Sequence, residues 1–408
     1  MLRRDFRWLL LGQTTSQFGA QISGVAVPLL AVSALHASPF QAGSVTAAGT
    51  LAFAVIGLPA GAWLDRVRRR PVLVASDLSR AALLASVPLL AWLGLLRLTH
   101  LMVVSLLIGV ARVFFDVGYQ SYLPTVVGEQ RLIAGNSALE TVRASGQIAG
   151  PGLGGWLAGR LGAANVLGLQ AVTLTVSAVC LLAIKAREPR PAPRSGLPPL
   201  PAQIKQGLAF VARSPVLRAL ALTSAAGNFS FAVASAVNFI FLVRTLGLSA
   251  AAIGLVLATG SVTALVGAAL TPRLARRFGS ARIIWLSLAV TGPAALLGPL
   301  ARPGWSVGLV VAGAAAGELG QIVYAITSVS LRQRLCPPEL LGRVNATMRI
   351  LIMGLFPVGA LLGGVLGERF GIRPTLWIAL TLAALSPLPV YRALRRSRTA
   401  EDVTLIPS

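Results

Sequence analysis

Residues Gly57 to Pro71 read GLPAGAWLDRVRRRP. An apolar, glycine-rich segment runs into one acid, Asp65, and then into Arg66, Arg68, Arg69 and Arg70. Long apolar runs lie on both sides. A hydrophobic helix that stops at a short arginine-rich turn, with another such helix after it, has the pattern of a membrane hairpin on its cytoplasmic side. Topology accounts for the arginines but not for the acid.

The composition extends this reading to the whole chain. Of 408 residues, 55% are hydrophobic and only 12% are charged. With a mean hydropathy of +0.77 the chain lacks the polar residues needed to cover a water-facing surface. Its repeated apolar runs of about 20 residues match a hydrocarbon core about 30 Å thick at about 1.5 Å of rise per residue. An all-α integral membrane protein is expected, with the lipid bilayer as its solvent. The net charge of +24 raises the question of nucleic acid. The arginines cluster between apolar runs, however, and no soluble domain exists to carry a groove reader, so no nucleic-acid partner is expected. Cys180 lies in an apolar run and Cys336 in an arginine-rich loop, which argues against a structural disulfide. No metal-ligand spacing occurs, and neither metal nor cofactor is expected. The opening MLRRDFRWLLLGQ resembles a signal peptide but lacks a small-residue cleavage site and stays largely apolar to about Leu35. It reads as an uncleaved first span.

Arginine clusters and helix breakers punctuate twelve spans. They run Trp8–Leu35, Phe40–Leu64, Val72–Leu96, Leu101–Leu123, Asn136–Arg160 and Asn165–Ala186, then Leu217–Arg244, Ala251–Pro272, Ile283–Ala301, Trp305–Leu331, Val344–Glu368 and Pro374–Leu394. With both termini cytoplasmic, the inner segments hold 26 basic residues and the outer turns six. Such an asymmetry predicts the orientation of a multi-pass protein in a bacterial plasma membrane. Arg187–Pro201, REPRPAPRSGLPPLP, is proline-rich, basic and aperiodic, a linker. Residues 202–212 follow with Ile204, Leu208 and Val211 on one side, the pattern of a short amphipathic helix on the inner membrane surface. The expected organisation is a six-helix bundle over 1–186, a cytoplasmic linker over 187–216, and a second six-helix bundle with a basic tail over 217–408.

The two halves repeat at an offset of about 210. Leu64-Asp-Arg-Val-Arg68 has a counterpart in Ala275-Arg-Arg-Phe-Gly279. Gly154-Gly-Trp-Leu-Ala-Gly-Arg-Leu-Gly162 matches Gly363-Gly-Val-Leu-Gly-Glu-Arg-Phe-Gly371, and Glu129-Gln-Arg-Leu matches Glu339-Leu-Leu-Gly-Arg. Two duplicated six-span bundles with a cavity between them describe a secondary transporter.

With the duplication established, Gly61, Asp65, Arg66, Arg69 and Arg70 resemble the G-x-x-x-D-R-x-x-R-R signature between spans two and three of the major facilitator superfamily. The span count, linker and long central loop agree, so the resemblance covers essentially the whole chain. Gly146-Gln-Ile-Ala-Gly-Pro-Gly-Leu-Gly-Gly155 is similar to the span-five pattern of drug–proton antiporters, although an upstream glycine of the longer pattern is Ser137 here. Arg112 is placed like the span-four arginine of the superfamily's exporters, with Phe115-Asp116 where Gln-Gly usually follows. Leu331–Thr347, LRQRLCPPELLGRVNAT, resembles the macrolide-efflux-type branch of bacterial exporters. The resemblance implies a major facilitator fold of two pseudo-symmetric bundles, a monomer, a small lipophilic substrate and protons as the coupling ion. It also implies that Asp65 latches onto basic groups at neighbouring cytoplasmic helix ends, with Asp77 and Arg80 available to join. Arg276 stands where the second half would need the matching acid.

Polar groups inside a bilayer are few and costly, so each is weighed by itself. Arg112 and Asp116 are one turn apart and can pair, either as a proton site or as a static intrahelical ion pair. Glu318, in the small-residue run GAAAGELGQ, reads as a proton or cation site, or as a protonated acid bonded to a neighbouring helix. Gln13, Gln17 and Gln21 form a stripe at i, i+4, i+8, and Tyr119, Asn228, Ser235, Asn238, Gln321 and Tyr324 add polar positions in other spans. They read as cavity lining for a substrate held by hydrogen bonds, or as bonds between helices. Gly146, Gly150, Gly154 and Gly155 form a small-residue ridge in which Pro151 can kink the helix. His36 and His100 are isolated, no phosphate-binding loop occurs, and no catalytic constellation appears, so a non-enzymatic carrier driven by an ion gradient is expected. Export of a lipid, siderophore or natural product is an alternative, as is a non-transporting receptor on a transporter fold. A channel is disfavoured, because no ring of like charges or repeated filter loop occurs.

Overall fold

A computed structural model describes residues 4–64, 67–128, 132–186, 188, 200–399 and 402–403. Among these the secondary structure is helical, with no strand. The chain divides into two compact units, Met1–Ser195 with Leu248–Ala258, and Gly196–Gly247 with Thr259–Ser408. The first unit contains α1 (Arg4–Leu29), α2 (Pro39–Leu64), α3 (Arg69–Trp92), α4 (Leu98–Val127), α5 (Leu132–Leu161) and α6 (Ala163–Ala183). The second contains α7 (Leu200–Arg213), α8 (Pro215–Ile240), most of α9 (Ala250–Phe278), α10 (Arg282–Thr291), α11 (Val307–Leu335), α12 (Pro338–Gly354), α13 (Phe356–Phe370), α14 (Ile372–Leu385) and α15 (Leu388–Leu394).

Eleven helical segments among the described residues are long and apolar enough to cross a membrane. A 26-residue helix such as α2 reaches about 39 Å, enough to span a tilted path through a core about 30 Å thick. The twelfth long helix, α5, is not one of the eleven. It carries Asn136, Glu140, Thr141, Arg143 and Gln147 together with its glycine ridge, and these dilute its hydropathy. Side chains such as Val55, Leu89, Val103, Val172, Val179 and Leu255 remain largely exposed, the distribution expected where lipid replaces water.

The expected span boundaries shift where proline intervenes. The ninth span is α-helical only to Thr291 and continues as a tighter 3₁₀ turn over Gly292–Leu300, because Pro293 and Pro299 cannot donate to the helical ladder. The eleventh starts earlier than expected and breaks into α12 and α13 at Leu355, just before Pro357.

The duplication is visible in the backbone. A π-helical turn extends α1 over Leu30–Ala34, and another extends α8 over Phe241–Thr245. Left-handed backbone recurs at matched positions, Gly94 with Gly304 and Gly162 with Gly371, while His36 (φ 50°) stands where the second half has Gly247. Helix pairing repeats as well. A β-carbon on Gly154 would lie 2.5 Å from the Ile22 carbonyl oxygen, so α5 packs on α1 at a distance only glycine allows, and Gly363 does the same for α13 against Val233 of α8.

Each unit has a dense apolar core. In the first it gathers Phe6, Leu73, Phe115, Tyr122, Leu181 and Ile184, and in the second Val211, Leu217, Ile284, Leu331, Val344 and Leu394. The amphipathic helix expected over 202–212 forms as α7, slightly longer. One side of it is docked on protein. Gly207 lies against Arg343 and Thr347 of α12, Gln206 accepts a hydrogen bond from Arg343, and Val211 enters the core.

Candidate functional site

Two ion pairs lie side by side in the first unit, and burial separates them. On α3, Asp77 and Arg80 are three residues apart. Arg80 donates to Oδ1 of Asp77, whose side chain is 0% exposed. The other carboxylate oxygen, Oδ2, is buried without a hydrogen-bond partner. Arg80 also donates from Nε to the Ser76 carbonyl at 3.3 Å, and its guanidinium lies 4.6 Å from the Phe115 ring centroid on α4. On α4, Arg112 and Asp116 pair at 3.5 Å with side chains 68% and 38% exposed. Asp116 and Arg112 lie within electrostatic reach of Arg80, and Ser177 of α6 faces Asp77. Asp77 and Arg80, which the sequence leaves available to join the arginine-rich turn, are engaged with each other and with α4. The signal that places them inside is the buried stripe Leu73, Ser76, Asp77, Arg80, Ala81, Leu84, Val87, which follows helical periodicity through two charged residues.

The glutamine stripe of α1 is divided between neighbours. Gln13 is buried beside Tyr119 of α4, which stacks on Phe115 at 5.8 Å between centroids. Gln13 Oε1 and the Tyr119 hydroxyl are both buried without a hydrogen-bond partner. Gln17 and Gln21 lie over the α5 ridge, where Gly146 approaches the Gln17 backbone and Gly150 leaves room for the Gln21 side chain. Farther along α5, Pro151 and Gly155 meet the first turns of α9. A β-carbon on Gly155 would fall 2.7 Å from Gly254 Cα, and one on Gly254 would fall 2.7 Å from the Pro151 carbonyl. This contact explains why Leu248–Ala258 belongs to the first unit.

In the second unit, Glu318 and Gln321 lie one turn apart on α11 and are exposed, with Gly260 of α9 leaving space beside the Glu318 side chain. Tyr324 is buried and bridges helices, its hydroxyl 2.7 Å from Ser224 Oγ and donating to the Leu220 carbonyl at 3.2 Å on α8. It is a bond between helices rather than an open wall. Asn228 donates to the Ser224 carbonyl and Ser235 to the Ala232 carbonyl, both on their own helix, and Asn238 is half-buried on the same helix.

At the arginine-rich turn, Gly61 lies in the last turn of α2, while Asp65 and Arg66 fall outside the described residues. An acid the sequence reading passed over holds the described part. Glu188, after α6, accepts from the backbone N–H of Arg69 at 2.8 Å and of Arg70 at 3.2 Å, and pairs with the Arg69 guanidinium at 3.8 Å. Arg70 donates from its side chain to the carbonyls of Leu181 and Leu182. Glu188 therefore caps the N-terminus of α3 and complements its dipole. The available signal was isolation, since Glu188 is the sole acid between Glu140 and Glu318. The second unit repeats the device without charge. The carbonyl of Arg398, 210 positions on, accepts from Ala281 and Arg282 at the start of α10.

The sequence profile of the Major Facilitator Superfamily matches residues 9–357 and again residues 225–405. The chain is 30% identical over 385 residues to the multidrug efflux pump Tap of Mycolicibacterium fortuitum, covering 92% of each protein. It is 31% identical over 370 residues to the enterobactin exporter EntS of Citrobacter koseri, covering 89% of this chain and 85% of that one. Its fold resembles a bacterial homologue of the iron transporter ferroportin in the inward-facing state, with a TM-score of 0.78, 18% identity, and coverage of 96% and 99%.

Proposed function

The chain belongs to the Major Facilitator Superfamily, and from that premise we propose that it exports small lipophilic molecules from the bacterial cell in exchange for protons, by alternating access. The observation that carries the reading is the match to a multidrug efflux pump over 92% of both chains, which leaves no large part of either unaccounted for. Each unit brings polar side chains suited to an uncharged or singly cationic substrate. Gln17 and Gln21 belong to the first, and Asn228, Ser235, Asn238 and Gln321 to the second. The acids available for coupling are Asp116, paired with Arg112, and the exposed Glu318. Siderophore export is the second reading, favoured by the 31% identity to an enterobactin exporter.

Proteoliposomes containing the full chain separate the two. Under an imposed proton gradient, uphill transport of ethidium supports drug export, and transport of enterobactin without ethidium supports the second reading. Asp116→Asn is expected to abolish gradient-driven movement of whichever compound is carried while leaving its binding intact. Absence of any substrate-dependent proton flux in the unaltered protein would overturn proton antiport altogether.

A further inference from the structure

We propose that Asp77, deep in α3, is the residue of the first unit that takes up and releases the proton, and that Arg80 is handed between Asp77 and Asp116 as it does so. The inference rests on the proton-exchange reading above and names its site. A carboxylate with no exposed surface keeps its charge inside a membrane bundle only while a counter-charge is in place. Arg80 supplies it, bonding one carboxylate oxygen and leaving Oδ2 buried and unpartnered. Apart from the Ser177 hydroxyl that faces the carboxylate, that oxygen has no donor, and a proton is the smallest group that can satisfy it.

The consequence of protonation follows from the neighbours. The helices most extensively packed on α3 are α4 and α6. Helix α6 carries no charged side chain, and it faces Asp77 with Ser177. Helix α4 brings Asp116 and Arg112 within electrostatic reach of Arg80. The group therefore holds two acids and two arginines. When a proton from water binds Oδ2, Asp77 becomes a neutral acid and Arg80 is left charged without its partner. Asp116 is the remaining acid within reach. Drawing Arg80 toward it displaces Arg112, the most exposed member, whose guanidinium is then free for another contact. Loss of the proton reverses each step. The Phe115 ring between α3 and α4 keeps Arg80 over an aromatic face throughout the exchange. In this arrangement the exposed pair relays the event, while the buried acid holds the proton.

Infrared difference spectroscopy on the lipid-reconstituted full chain tests this with the proton alone as probe. Acidification from mildly alkaline pH is expected to add the carbonyl stretch of a buried protonated carboxyl. That band should be missing in Asp77→Asn, and also in the double variant Asp77→Asn with Arg80→Gln, which leaves no unpaired buried arginine and so guards against misfolding. Glu140→Gln, which alters an exposed pair with Arg143, should retain it. A band that persists in the folded double variant, or none in the unaltered protein, would overturn the assignment. A band that depends on Asp77 in a protein showing no proton-coupled flux of ethidium or enterobactin would leave the site standing and remove the antiport reading instead.

Discussion

Spacing alone makes the Asp77–Arg80 and Arg112–Asp116 pairs equivalent, because residues three and four apart on a helix are both neighbours. Burial makes them different. Arg80→Ala would strand Asp77 as an uncompensated buried charge, a loss of about 3–5 kcal/mol for broken buried pairs. Arg112→Ala removes half of a pair that solvent already screens, for which less than about 1 kcal/mol is expected. Thermal unfolding in detergent should therefore show a large drop in midpoint for Arg80→Ala and little change for Arg112→Ala. Equal shifts would contradict the burial on which the distinction stands. Asp116 and Glu318 stand out in the sequence because acids are scarce, while Asp77 follows the arginine-rich turn closely enough to read with it. Its position on the apolar stripe of α3 was legible as periodicity, but its unpartnered oxygen was not.

At the scale of elements, the glycine ridge of α5 was legible and its geometry was not. The small residues announced close approach, while their partners, Ile22 and Gln21 on α1 and Gly254 on α9, come from distant sequence. The start of α3 is the sharper case. The arginine-rich turn stood out at once, yet the carboxylate that caps it lies 119 residues away. Glu188→Ala should cost about 1 kcal/mol, as the loss of a helix N-cap does, and speed hydrogen exchange at the amides of residues 69–73. Glu188→Gln, which keeps an acceptor oxygen but loses the charge, should fall between the two. Exchange in Glu188→Ala that matches the unaltered protein would show that α3 is held at its start by something else.

For the whole molecule, the positive-inside asymmetry predicts which ends face the cytoplasm, and labelling can read it. In a background with Cys180→Ser and Cys336→Ser, Arg396→Cys should react with an impermeant maleimide only in inside-out vesicles. Trp305→Cys, at an almost fully exposed turn, should react only in right-side-out ones. The reverse pattern would invert the topology and with it the direction of transport. What the sequence determined by itself was the membrane-spanning all-α class, the two-fold repeat and the family signature. These are written in local patterns, apolar runs of span length, breakers between them, and a register near 210. What only the tertiary structure decided was the use of each polar group. Tyr324 and Gln13 are turned against neighbouring helices, α7 lies on α12, Glu188 caps α3, and Asp77 rather than Asp116 is fully enclosed. The physical reason is that burial and hydrogen-bond satisfaction depend on atoms brought together from far along the chain. The helical repeat fixes which residues share a face, but only packing fixes what that face meets.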